Sequence, residues 1–267
     1  MLPSFQSFKN FIFINGFIIL LSALQYEATM YTTSGNYLEF GTSYGLLILR
    51  NYLLMEFINY GTRNKLTISE NNFTTKNNLE LHGNVFIITA VETATHMYLK
   101  WYMIDTTLSS RLLFFIPISF LFEIILDFFH YIAHRTLHHP YLYAYIHKKH
   151  HAFTHPITIA TFYHSPLDVF LSISLPTVIS LWCIPSISLF EFYLLTTYKI
   201  FTEISGHTGK MLAPTGSFPQ CIWLPKLFGI ELYTENHDLH HSMNNCNYAK
   251  RFSLWDKVFC TFKEHTE

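Results

Sequence analysis

Three stretches of the chain carry histidine at spacings that can hold metal: HRTLH at 134–138, HKKHH at 147–151 and HDLHH at 237–241. On a helix, residues four apart project from one face, so His134 and His138 form a pair. His147, His150 and His151 stand at i, i+3 and i+4, and His237, His240 and His241 repeat that spacing. Eight imidazoles are twice what a four-coordinate zinc site takes, which implies two metal ions. Imidazole suits iron, copper, nickel and zinc alike, and no thiolate accompanies the pattern. One HxxxH alone is a weak signal, whereas three such motifs in one chain outweigh the plain alternative of a solvated histidine face. The chain holds 16 histidines, and nine of them fall between 130 and 164.

Composition says where these faces sit. Of 267 residues, 50% are hydrophobic, 18% aromatic and only 13% charged, against about 25% charged in an average soluble domain. Mean hydropathy is +0.21. The expectation is an all-α integral membrane protein with roughly four to six transmembrane helices and a cytosolic, helical, histidine-rich di-metal domain. A net charge of −1 argues against nucleic acid as a partner. Cys183, Cys221, Cys246 and Cys260 lie far apart, so they read as reduced structural thiols and not as a disulfide framework or a cysteine zinc site.

Apolar runs mark the spans. Residues 11–25 read as a retained first anchor, because more apolar runs follow. The run 43–59 is weakened by Arg50 and Glu56 and suits the interface as well as a span. Residues 60–83 read as an exposed polar loop with a sequon at Asn72, and 84–104 as a bundled helix carrying Glu92, His96 and Lys100. The run 111–133 is the clearest span. Residues 167–204, broken at Pro185, suit a helical hairpin. That even-numbered return puts both histidine-rich regions on one side, with Lys148, Lys149, Lys210, Lys226, Lys250, Arg251 and Lys257, so the positive-inside rule makes that side cytoplasmic. On a helix, Lys148 and Lys149 point away from the histidine face, toward headgroups or an acidic electron donor.

The order HRTLH, HKKHH, a lone histidine before glycine, then HDLHH followed by NYAKRFSLWDKVFCT resembles the fatty acid hydroxylase and sterol desaturase superfamily, over about 120–262. The look is nearest to sterol C-4 methyl oxidases and cholesterol 25-hydroxylase. The resemblance divides the chain into an N-terminal membrane region, 1–110, and a catalytic domain, 111–267. It implies metal-ligand and catalytic roles for His134, His138, His147, His150, His151, His237, His240 and His241. It also adds His207 of ISGHTGK, which spacing alone leaves as a loop histidine. Many relatives place histidine directly before the proline that follows HKKHH; here Ser165 precedes Pro166, and His164 stays outside the ligand set. His130 is open between a ligand-like position and a packed helix histidine, His139 and His155 read as surface, and Lys210 departs from a common aromatic. Asp127, Glu203 and Asp238 are candidates to orient the imidazoles, Asp127 foremost as an acid inside an apolar run. Asp256 of LWDKVF reads as a structural anchor for the tail.

By the resemblance, the chain is an endoplasmic reticulum, multi-pass membrane enzyme. Two non-heme irons and O2 as co-substrate would hydroxylate an unactivated C–H bond of a sterol or related lipid. The chain has no GxGxxG and no heme domain of its own, so electrons from NAD(P)H would arrive through cytochrome b5 and its reductase. A lipid desaturase with the same centre is the near alternative. From other classes, a histidine-lined metal transporter and a catalytically dead lipid-binding relative compete with it.

Overall fold

A computed structural model describes residues 5–32, 37–69, 78–212 and 224–264. Those residues are helical, with two isolated β-bridges and no strand among them. The sequon at Asn72 and Cys221 lie outside the described residues. Four long helices open the chain: α1 (Phe5–Tyr31), α2 (Tyr37–Thr62), α3 (Asn78–Tyr102) and α4 (Leu112–Leu137). Two of them, α1 and α4, are long and apolar enough to cross a bilayer by length and composition. Both show apolar side chains outward, Phe13, Leu20 and Leu24 on α1 and Leu113, Phe114 and Leu121 on α4, as lipid contact requires.

Polar residues on these helices turn inward and meet one another. Ser22 and Thr29 of α1 bond to Tyr193 at 3.2 and 2.9 Å. Arg50, which weakens the second apolar run in the sequence, is buried on α2 and lies 2.5 Å from Glu92 of α3. Lys100 of α3 pairs with Glu39 of α2. Charges that argue against a span when read singly thus neutralise each other between helices.

Beyond α4 come a single turn, α5 (Pro140–Leu142), then a π turn at Tyr143–His147 and short 3-10 turns at His150–Ala152 and Thr158–Phe162. The apolar stretch that follows forms the expected hairpin. Its first arm is α6 (Pro166–Val169), a π segment and α7 (Leu175–Trp182); its second is α8 (Leu189–Gly206). The two arms part at Cys183–Ser188, where Pro185 sits, and Ser188 with Glu191 forms a capping box that starts α8. Nearly every residue of α8 is buried. It is the helix around which α1, α2 and α4 pack, so its polar side chains, Lys199 and Glu203 among them, are buried and pair with one another. The chain ends in α9 (Leu224–Leu227), α10 (Thr234–Met243) and α11 (Leu254–Val258).

HKKHH departs from the expected single helix face. His147 closes the π turn, Lys148 and Lys149 turn the chain, and His150 and His151 begin the 3-10 turn. Lys149 does not point outward: its Nζ donates to Asn84 of α3 at 2.6 Å and sits over the Tyr163 ring. Arg251, counted among the cytoplasmic surface charges, is 2% exposed and paired with Glu123 and Glu203. It therefore tells nothing about which side faces the cytosol.

Candidate metal centre

The described residues bring all nine expected histidines into two groups whose ligating atoms lie within 4.8 Å of one another: His134, His138, His147, His151 and His240 in one, and His150, His207, His237 and His241 in the other. The partition follows the i, i+4 spacing, across the broken turns of HKKHH as well as on α4 and α10. Each i, i+4 pair stays together: 134/138 and 147/151 in the first group, 237/241 in the second. The third member of each HxxHH crosses over, His240 into the first group and His150 into the second. His207, the C-cap of α8, completes the second group. The groups abut, with the His151 ring 4.7 Å from that of His241. The nine histidines thus form one compact, buried double cluster and not a series spread along a path.

Backbone carbonyls fix the rings. His134 Nδ1 donates to Tyr248 O, His240 Nδ1 to Cys246 O and His207 Nδ1 to Glu203 O, each at 2.7 Å. His241 Nδ1 donates to Phe153 O at 2.9 Å, and His147 Nδ1 to Asp168 Oδ2 at 2.9 Å. A neutral imidazole that donates from Nδ1 has only a lone pair on Nε2. Yet His134 Nε2 lies 3.0 Å from His147 Nε2 and 3.1 Å from His240 Nε2. With Nδ1 carrying the proton in all three, these are facing lone pairs and not hydrogen bonds. They repel unless a cation lies among them. Ligands about 2.1 Å from an ion and at right angles lie about 3.0 Å apart, while tetrahedral ones lie about 3.4 Å apart. The first group, with five nitrogens and these short edges, fits an ion of five or more ligands. In the second group the Nε2 edges are 3.0, 3.2 and 3.4 Å. All-imidazole donors without thiolate fit iron, as they also fit copper, nickel and zinc.

Burial first, and then repulsion among neighbouring imidazoles, hold His150, His237, His240 and His241 well below the ordinary histidine range; His138 falls to about 3. The neutral form is the one that ligates. Because each native value is depressed, the unfolded chain binds more protons below about pH 6.5. Metal-free protein is therefore expected to lose stability as pH falls from 7.5 to 5.5. Thermal unfolding after chelation checks this, and a flat profile would contradict it.

The loop after α10 delivers two of those carbonyls, and its backbone is clamped. Asn244 and Asn247 take left-handed φ of 62° and 54°, a region that asparagine tolerates. Asp256 accepts from the amides of Tyr248 and Ala249 at 2.8 Å, so it does anchor the tail. Asp127 corrects the reading from sequence. It accepts from the amides of Lys250, Arg251 and Phe252 at 2.8, 2.9 and 3.1 Å and touches no imidazole. It positions the loop that positions the rings. Glu203 pairs with Lys199 and Arg251 at 2.8 Å and reaches His207 only through its carbonyl. Asp238 pairs with His155, a histidine of the rim, at 2.9 Å. Gly209, at φ +62°, has no room for a Cβ, which would lie 2.6 Å from Pro156 O.

The carboxylate that does hold a ring is Asp168, which spacing missed. Its Oδ2 accepts from both His147 and His164 at 2.9 Å. His164 lies parallel on His150, 3.8 Å between centroids, and stands outside both ligand groups. A signal was present: Asp168 follows His164 by one helical turn, just inside the Ser165 cap. His130 donates to Ser172 O at 2.7 Å, and His139 is exposed. Asp168→Asn is expected to weaken metal retention 10- to 100-fold. Competition against a chelator measures it, and unchanged retention would show His147 to be held by its neighbours alone.

A family model, fatty acid hydroxylase, matches residues 119–261, just over half of the chain. Among similar proteins, the fatty acid hydroxylase vlmA of Lecanicillium sp is 32% identical over 55% of this chain and 42% of its own. The methylsterol monooxygenase erg25B of Aspergillus fumigatus is 32% identical over 53% of this chain and 46% of its own. Methylsterol monooxygenase 1 of Rattus norvegicus is 35% identical over 52% of this chain and 44% of its own. The matched stretch thus spans less than half the length of each relative. No solved structure matches the chain.

Proposed function

Because the chain belongs to the fatty acid hydroxylase family, we propose that it is a membrane-bound, non-heme di-iron oxidoreductase that uses O2 to hydroxylate an unactivated C–H bond of a sterol or related lipid. The observation that carries this reading is the facing Nε2 lone pairs of His134, His147 and His240, 3.0–3.1 Å apart, with every Nδ1 proton already committed. His134, His138, His147, His151 and His240 would hold one ion, and His150, His207, His237 and His241 the other. Two irons so held would supply activation of O2 and removal of hydrogen from carbon.

The chain's own part is orientation and exclusion. Carbonyls of Phe153, Glu203, Cys246 and Tyr248 hold the rings. The centre follows directly on α4, the more apolar of the two candidate spans, so a lipid can approach laterally while electrons come from the aqueous side. Those electrons would come from NAD(P)H through cytochrome b5 and its reductase. The mutual pairing of Arg50 with Glu92 and of Lys100 with Glu39 supports spans for α2 and α3 as well, hence a multi-pass protein; its place in the endoplasmic reticulum rests on the family resemblance alone. The same centre serves desaturation equally, and the product decides between the two.

The test is metal analysis of the purified chain together with lipid profiling of a sterol-producing host. Two tightly held irons and a new hydroxylated or unsaturated lipid are expected. Loosely exchanging ions with an unchanged lipid profile would favour a carrier and overturn the reading.

A further inference from the structure

A cleft between α3, the Thr158–Phe162 turn, the hairpin and α8 borders the candidate centre, since Glu203 lines it and also presents its carbonyl to His207. Ile88, Phe162, Val169, Ile173 and Ile200 make its apolar wall. Its charges are balanced: Glu92 pairs with Arg50 at 2.5 Å, and Lys199 with Glu203 at 2.8 Å. Most of its hydroxyls are engaged too. Thr177 and Thr196 bond to backbone carbonyls, and Thr95 bonds to Ser174. Two buried polar atoms on this wall have no protein partner, His96 Nδ1 and Thr161 Oγ1. Their residues are 8% and 3% exposed. Leaving such atoms unsatisfied is costly, so the cleft is built for something that bonds to them.

Its chemistry follows from the tautomer of His96. The Nε2 edge faces Glu92, 3.8 Å from Oε1, so the carboxylate favours the proton on Nε2 and leaves a lone pair on Nδ1. The ligand group that meets Nδ1 must therefore donate. An ionised carboxylate, an ester or a ketone has no proton to give, and a fatty acid would add an unpaired charge to a balanced cleft. An ammonium would do the same. A neutral hydroxyl meets both needs: it donates to His96 and pairs with Thr161. The cleft is narrow, so it takes the hydroxyl end of the ligand with its nearest carbons.

We propose that His96 and Thr161 are specificity-determining residues that select a lipid alcohol over a fatty acid or an ester by binding its free hydroxyl. This rests on the oxygenase reading only in taking that alcohol as the substrate. The full chain in nanodiscs would be titrated with cholesterol and oleyl alcohol, each against its methyl ether, and with oleate. At least one alcohol should bind about tenfold more tightly than its ether and than oleate, roughly 1.4 kcal/mol. His96→Phe and Thr161→Val should shrink that preference to within about twofold, with metal content unchanged, while His96→Gln and Thr161→Ser keep it. Ethers binding as tightly as their alcohols, or a preference that survives His96→Phe, would overturn the proposal. Metal content and lipid oxidation on the same samples report separately. If they fail with the alcohol preference intact, the oxygenase reading falls and the selectivity of the cleft stands.

Discussion

Replacing His150 or His151 by alanine is expected to abolish product formation, with each of these chain neighbours emptying a different ion site. Their side chains diverge because the 3-10 turn that begins at His150 directs successive residues apart. His151 joins His134, His138, His147 and His240, whereas His150 joins His207, His237 and His241. Either loss removes a direct ligand, so the fall should exceed the 10- to 100-fold that an outer partner costs. The second group has four nitrogens and the first has five, so His150→Ala should lose its ion more completely than His151→Ala does. Metal analysis should give one tightly held ion per chain for His150→Ala, and anomalous scattering should place the remaining density among His134, His147 and His240. If both variants lost the same ion, the partition into two groups would be wrong.

What the sequence revealed and what it hid follow from the range of the interactions involved. Which histidines would gather was legible, because i, i+4 spacing is a local property: 134/138, 147/151 and 237/241 each stay together. The crossing of His150 and His240 was hidden. It depends on how α10 meets the Tyr143–Ala152 turns, a contact between segments some ninety residues apart. The hairpin at 166–206 was legible from hydropathy and Pro185. Arg50 misled because a charge inside an apolar run reads as a cost until its partner is known, whereas Glu92 and Lys100 fit the bundled helix expected for their segment.

The carboxylates teach the same lesson more sharply. An acid within an apolar run predicts a buried partner, and Asp127 has three, all of them backbone amides that no side-chain pattern encodes. Asp168 lies in the first turn behind the Ser165 cap, where an acid needs no further explanation. Its link to His147 spans 21 residues and a change of helix type. Arg251 sits in a run of basic residues that suggests surface, yet it is among the most buried side chains of the chain.

Arg251→Ala should produce the largest loss of stability of any change away from the histidines. The Arg251 guanidinium lies 2.8 Å from Glu123 of α4 and 2.8 Å from Glu203 of α8, all three nearly inaccessible. Its own amide is held by Asp127. One side chain therefore ties α4, α8 and the loop that presents the Cys246 and Tyr248 carbonyls. Removing it leaves one buried carboxylate without its cation and another sharing Lys199 alone. Breaking a buried pair in this way costs about 3–5 kcal/mol, although such a pair is itself often no more stable than apolar side chains of the same volume. Lysine is a poor substitute, because it lacks the fork that reaches both acids. The expected pattern is then specific: Arg251→Ala lowers the melting temperature of the metal-free protein sharply, and Arg251→Lys lowers it less. Arg251→Met combined with Glu123→Leu, Glu203→Leu and Lys199→Met, which leaves no buried charge of the cluster unpaired, recovers most of the loss. Recovery in that variant, with the backbone carbonyl of residue 203 still available to His207, should restore metal binding along with stability. An Arg251→Ala protein that melts like the wild type would mean that the two acids are neutral or hydrated in place, and the triad would then contribute nothing to holding the centre together.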